Sequence, residues 1–208
     1  MKIAVDLRSL QTGGAGMSGV ENYILNLLEY LLAIDHDNQY LFFSNALLPE
    51  SFEHLQYVNS KIVQTRIPNR VLNLSLKVFG WPHFEQIIGD FDILFLPNTN
   101  HFGMGHGKKL VVTVHDLSPL VTPQFYNLKR KFWHKFLNVK KIYGRADQLI
   151  AVSEHTKHDL IKLTGVDEKK ISVINPGIDR STFDPHIPAD RLRDVRNVYG
   201  LPGKYLLF

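Results

Sequence analysis

The residues most able to do chemistry in this chain are a glycine-rich stretch, a His-Asp pair and a scatter of amides and hydroxyls. The stretch TGGAGMSG occupies Thr12–Gly19 and is followed at once by a helical pattern. A turn of this kind leaves the free N–H groups of a helix start exposed, at Ser18, Gly19 and Val20, beside the positive end of the helix dipole. That arrangement suits a phosphate. The spacing is not G-x-G-x-x-G with an acid about twenty residues on, so a nicotinamide site is not expected. No G-K-[ST] ending is present, so neither is a P-loop. The alternative is a plain strand-to-helix connection with no ligand. His115-Asp116 offers a base and a carboxylate that both hydrogen-bond hydroxyls, as acid–base or sugar-recognition groups. A capping or loop-fixing role is the alternative there. His101 and His106 share a loop, but no carboxylate or third histidine follows at ligand spacing, so no metal site is expected. The absence of a G-x-S-x-G elbow speaks against a serine hydrolase.

These groups have to be positioned by something, and the surrounding pattern says what. Short apolar segments alternate with helical ones, the pattern of a parallel sheet wrapped by helices. Strands are predicted at 2–7, 40–44, 61–66, 93–96, 110–114, 148–152 and 171–174. The last four are nearly continuous in apolar residues, which implies burial on both faces. Helices are predicted at 20–33, 72–80, 84–88, along a basic stretch at 127–146, from Ser153 (as N-cap) to about 163, and at 189–199. In an open parallel sheet, ligands collect beyond the carboxyl ends of the strands. At those ends lie Arg8, Asn98 and Asn100, His115-Asp116, Ser153-Glu154, and Asn175-Pro176-Gly177, so five loops at one rim carry polar side chains and glycines. The fold class expected is α/β: a Rossmann-like, open, mainly parallel sheet of about seven strands with helices on both faces.

Composition bounds the rest. The chain has 208 residues, 44% of them hydrophobic and 21% charged, with no cysteine. That excludes a disulfide scaffold and a thiolate metal centre, and it fits a reducing compartment. No apolar run reaches the length of a membrane span, and Asp6 and Arg8 interrupt any signal-peptide core. The net charge of +4 is local. Residues 127–146 hold seven bases and no acid, which leaves 17 bases against 20 acids elsewhere. A nucleic-acid partner is therefore not expected. Leu128, Phe132, Phe136, Val139 and Tyr143 fall on one side of this basic helix and are expected to face the core. Its lysines either form a solvated outer face or meet an anionic membrane surface, worth about 1 kcal/mol per base.

Taken together, SGVENY (Ser18–Tyr23), HD (His115-Asp116), VSEHTKHDL (Val152–Leu160) and VINPGID (Val173–Asp179) resemble the amino-terminal half of the retaining GT-B-type glycosyltransferases. This large bacterial nucleotide-sugar-dependent group includes mannosyl- and glucosyltransferases. The resemblance runs in order from Met1 to about Asp179. It implies two Rossmann-like domains facing across a cleft, the amino-terminal one mainly holding the acceptor. It implies that His115 contacts the donor sugar, with Asp116 its companion. The family's Gly-Gly at the first helix start is matched by Ser18-Gly19, and its N-G-V/I-D turn by Pro176-Gly177-Ile178-Asp179. The expected organisation is an acceptor-side domain at 1–178, a linker with a short helix at 179–203, and the cut first strand of a missing donor domain at 204–208.

The function this implies is half of an enzyme. It would move a sugar with retention from a nucleotide sugar to a glycan or lipid-linked acceptor in cell-surface polysaccharide synthesis, the fragment alone being inactive. No cofactor or metal is expected beyond the donor as co-substrate. The location expected is cytoplasmic, peripheral at the inner face of the cell membrane. A nucleotide-sugar epimerase half-domain and a non-catalytic sugar- or lipid-binding module stand as alternatives.

Overall fold

The computed structural model describes residues 1–10, 18–46, 52–178, 183 and 186–204. Most of the glycine-rich stretch, Gln11–Met17, lies outside the described residues, as do Asp179 of the VINPGID segment and the expected terminal strand from Tyr205 to Phe208.

Seven described strands form one sheet: β1 (Lys2–Asp6), β2 (Gln39–Asn45), β3 (Ser60–Thr65), β4 (Ile93–Leu96), β5 (Lys109–Val114), β6 (Gln148–Ala151) and β7 (Ile171–Val173). Their order is β3-β2-β1-β4-β5-β6-β7 and every pairing is parallel. The chain runs outward from β1 to β3, then returns to the other side of β1 at β4. That reversal opens a crevice at the carboxyl ends of β1 and β4, the switch point of a doubly wound sheet.

Strand alternation divides the apolar residues between two cores. Val5, Phe42 and Phe95 point to one face, where Ile24, Leu28 and Leu32 of α1 (Gly19–Ile34) cover them. Ala4, Phe43, Leu94 and Leu96 point to the other. There they meet α2 (Asn69–Phe79) and α3 (Phe84–Ile88) through Leu72, Leu76, Phe84 and Ile88. Both faces are thus covered, as the continuous apolar strands require.

After β5 come a short helix α4 (Ser118–Val121), α5 (Leu128–Leu137) and α6 (Val139–Arg145); α7 (Glu154–Thr164) follows β6. The basic stretch is therefore two helices rather than one. Asn138 adopts a left-handed conformation (φ 51°), ending α5 and turning the chain before α6 begins. The expected core-facing stripe breaks with it. Leu137, Ile142 and Tyr143 are buried, but Leu128 and Phe132 are 84% and 72% exposed. A single stripe needs unbroken 3.6-residue periodicity, and a left-handed residue resets it.

Contacts divide the chain into two compact units, residues 1–175 and 176–208. The second holds α8 (Ala189–Tyr199), a charged helix closed by Gly200 in the left-handed conformation. No helix among the described residues is long and apolar enough to cross a membrane.

Candidate functional site

A cleft of about 320 Å³ opens beyond the carboxyl ends of β4 and β5, bounded by the start of α1 and by α5–α6. It brings together Val20, Asn98, Asn100, His115 and Asp116, five of the residues singled out from sequence.

His115 is oriented from two sides. Its Nε2 lies 2.9 Å from the Pro97 carbonyl, and the Tyr23 ring meets it edge-on at 4.9 Å. A carbonyl can only accept, so Nε2 carries the proton. In the neutral ring Nδ1 is then the acceptor available to a hydroxyl. Thr156 adds a third constraint by donating to the His115 carbonyl at 3.4 Å. Asp116 is exposed, and one carboxylate oxygen accepts from the Ser118 N–H at 2.8 Å, which fixes the turn into α4. Asn98 closes a local turn on the Thr99 N–H, while the Asn100 amide reaches Ser9 Oγ at 3.3 Å.

The start of α1 has a reciprocal cap. The Glu21 N–H donates to Ser18 Oγ, and the Ser18 N–H donates to the Glu21 carboxylate at 2.5 Å. The SGVE sequence is thus a capping box, and Ser18 is engaged in it. Gly19 and Val20 hold the next two first-turn N–H groups, which have no carbonyl four residues back inside the helix. Among the described residues, a Cβ added at Gly19 would meet nothing within 4 Å.

Arg8, expected at the cleft, is instead turned into the fold. Its side chain is 6% exposed, and its guanidinium forks onto Asp6, itself 1% exposed, at 2.8 and 2.7 Å. The same group donates to the His101 carbonyl, which ties the end of β1 to the loop after β4. Ser153 and Glu154 are also not among the cleft residues. Ser153 caps α7 through the Thr156 N–H, and Glu154 sits exposed in the first turn of that helix.

Sequence reasoning missed Trp133 and His134, which line the same cleft, as do Thr99 from the loop after β4 and Tyr143, expected only to face the core. The Tyr143 hydroxyl is 3.0 Å from Thr99 Oγ1, and burial pushes its pKa up to about 12. Burial lowers the pKa of His134; Asp116 opposes the shift and Arg130 adds to it. Trp133 and His134 lie on the helix whose polar side was read as an outer face. Asn138, a common left-handed helix terminator, was the signal that the helix would turn there.

The sequence profile of Glycosyltransferase Family 4 matches residues 17–182. The serotype-specific mannosyltransferase WbdA of Escherichia coli is 21% identical over 193 residues, which cover 92% of this chain and 23% of that protein. The O-antigen chain mannosyltransferase RfbU of Salmonella typhimurium is 25% identical over 183 residues, covering 86% of this chain and 50% of that protein. Among solved structures, sucrose-phosphate synthase from Thermosynechococcus elongatus superposes with a TM-score of 0.60. The match is 17% identical and covers 97% of this chain and 53% of that one, and at that identity the likeness is one of fold. The chain spans between about a quarter and a half of the length of these proteins.

Proposed function

The chain belongs to Glycosyltransferase Family 4, and from that membership we propose that it forms the acceptor-side half of a glycosyltransferase of cell-surface polysaccharide synthesis. In this reading a sugar passes, with retention, from a nucleotide sugar to a glycan or lipid-linked acceptor. The mannosyltransferases among its relatives favour a hexose donor. The observation that carries the proposal is the cleft at the switch point. It combines an oriented imidazole, a neighbouring carboxylate and the first turn of α1 at Val20.

The residues divide the work. Gly19 and Val20 would offer backbone N–H groups to the leaving diphosphate, stabilising charge as it develops. His115 would accept a hydrogen bond from the transferring sugar through Nδ1, held in register by Pro97 and Tyr23. Asp116, Asn98 and Asn100 would orient hydroxyls around it. Catalysis then rests on positioning more than on a strong base. The donor is a co-substrate, and no metal or prosthetic group is called for.

The proposal includes peripheral binding at the inner face of the cell membrane through residues 127–146. Phe125, Leu128 and Phe132 stand largely exposed next to Lys129, Arg130 and Lys131. Apolar side chains ringed by bases match an anionic bilayer surface.

The test is sugar transfer by the full product of the gene, with nucleoside diphosphate release and the glycosylated product both measured. His115→Ala is expected to lower turnover by about 10²–10³, the scale of losing one preorganised polar contact. A well-folded variant with normal turnover would remove His115 from the mechanism. Donor conversion without a glycosylated product would overturn the transferase reading.

A further inference from the structure

A second cavity, of about 110 Å³, lies behind the first, and Leu137 is the only lining residue the two have in common. It is bounded by α2, the His101-Phe102 turn and α6. Its charged lining is all of one sign, Lys77 from α2 and Lys141 and Arg145 from α6, joined by His101 and the Asn138 amide. No carboxylate lines it, and among the described residues none of the three cations belongs to an ion pair. Lys141 and Arg145 are four apart on one helix, a like-charge spacing that costs stability by itself. Lys77 is anchored, since its ammonium donates to the Phe136 carbonyl and lies 4.3 Å from that ring's centre. Arg145 lies over the Phe102 ring at 4.8 Å.

The decisive group is His101. His101 is buried (6% exposed) and is one of the cavity's lining residues, and its enclosed Nε2 has no hydrogen-bond partner. Leaving such an atom unpaired carries a desolvation cost that a ligand would remove. The loop around it is firmly placed. A Cβ at Gly103 would come within 2.4 Å of the Gly80 and Pro82 carbonyl oxygens, so the turn packs directly on backbone. The His101 ring is held edge-on by Phe136 at 5.0 Å.

We propose that this cavity binds a phosphate group, with Lys77, Lys141 and Arg145 meeting its charge and the His101 Nε2–H donating a neutral hydrogen bond. The volume fits. At about 30 Å³ per water it equals roughly three or four waters, room for one tetrahedral anion and little more. The phosphate is either a free ion or an ester carried by a larger ligand lying in the neighbouring cleft. The first version does not depend on the function proposed above.

The test titrates the chain with inorganic phosphate and, separately, with a hexose 1-phosphate, following heat of binding and the His101 ring nitrogen resonances. Arg145→Gln and Lys141→Gln, both at exposed positions, are each expected to weaken binding about tenfold, the scale of one charge-assisted hydrogen bond. Lys129→Gln, on α5 away from the cavity, is expected to leave it unchanged, and the Nε2 resonance is expected to move on saturation. Tighter binding of the ester assigns the site to a phosphorylated ligand; equal or tighter binding of the ion assigns it to free phosphate. Absence of binding to either, wild-type affinity in both α6 variants, or a static His101 resonance would overturn the proposal. None of these readouts involves sugar transfer, so its failure and that of the transferase reading are separable.

Discussion

Replacing Asp6 by Asn should destabilise this fold more than a typical single substitution, and the size of the effect follows from the geometry. Asp6 accepts three bonds from Arg8: the backbone N–H at 3.0 Å, Nε at 2.8 Å and a terminal guanidinium nitrogen at 2.7 Å. The side chains are 1% and 6% exposed, and the guanidinium carbon lies 5.6 and 5.4 Å from the Phe43 and Phe84 ring centres. Water cannot take over when the carboxylate charge is removed. Breaking one side of a buried pair costs about 3–5 kcal/mol, because the remaining charge is left uncompensated. For a domain of this length, at about 2–4 °C per kcal/mol, the melting point should fall by roughly 6–20 °C. Urea unfolding followed by the fluorescence of Trp81 and Trp133 measures it, with an unchanged slope showing that the unfolded state is the same. The double replacement Asp6→Leu with Arg8→Met should lose less than Asp6→Asn alone, since no charge is then stranded. A loss below about 1 kcal/mol for Asp6→Asn would refute the argument and free Arg8 for a role in the cleft.

Other outcomes follow from the same structure. Gly19→Val should leave the melting point within about 2 °C, because among the described residues nothing lies within 4 Å of the added Cβ, yet weaken nucleoside diphosphate binding by the full gene product at least about tenfold. Unchanged affinity would make the helix start a mere connection. Changing Lys129, Arg130 and Lys131 together to Gln should lower partitioning onto phosphatidylserine vesicles about 10²-fold, from about 1 kcal/mol per base. A wild-type chain that ignores such vesicles at low salt would end the membrane reading. Burial, then the Lys77 and Arg8 charges, lower the His101 pKa to about 4. Between the ordinary histidine value near 6.5 and that value, the unfolded chain binds a proton the folded one refuses. Stability should therefore be lost as the pH is lowered through that window, by up to about 3 kcal/mol. His101→Gln should flatten the pH dependence of the urea midpoint, and an unchanged slope would show that another group is responsible.

Much of the architecture is local physics and could be read along the chain. Apolar strands of four to six residues, such as Ile93–Leu96 and Lys109–Val114, cannot face water on either side, so they imply a parallel sheet clad in helices. The carboxyl-end rule then placed Asn98, Asn100 and His115-Asp116 at one rim, where the structure gathers them. Ser153 was legible as a helix cap because capping depends only on neighbours in sequence. Side-chain direction was not legible, for it depends on partners far away along the chain. Arg8 turns inward because the buried Asp6 carboxylate must be neutralised and the His101 carbonyl lies within reach, 93 residues away in sequence. Trp133, His134 and Tyr143 enter the cleft because one left-handed residue, Asn138, turns two basic helices against the end of the sheet. The sequence alone determined the layers of this protein and the edge at which its chemistry collects. Tertiary packing decided which side chains face that edge and which hold it in place, because burial, unlike helical or strand periodicity, is set by the whole chain at once.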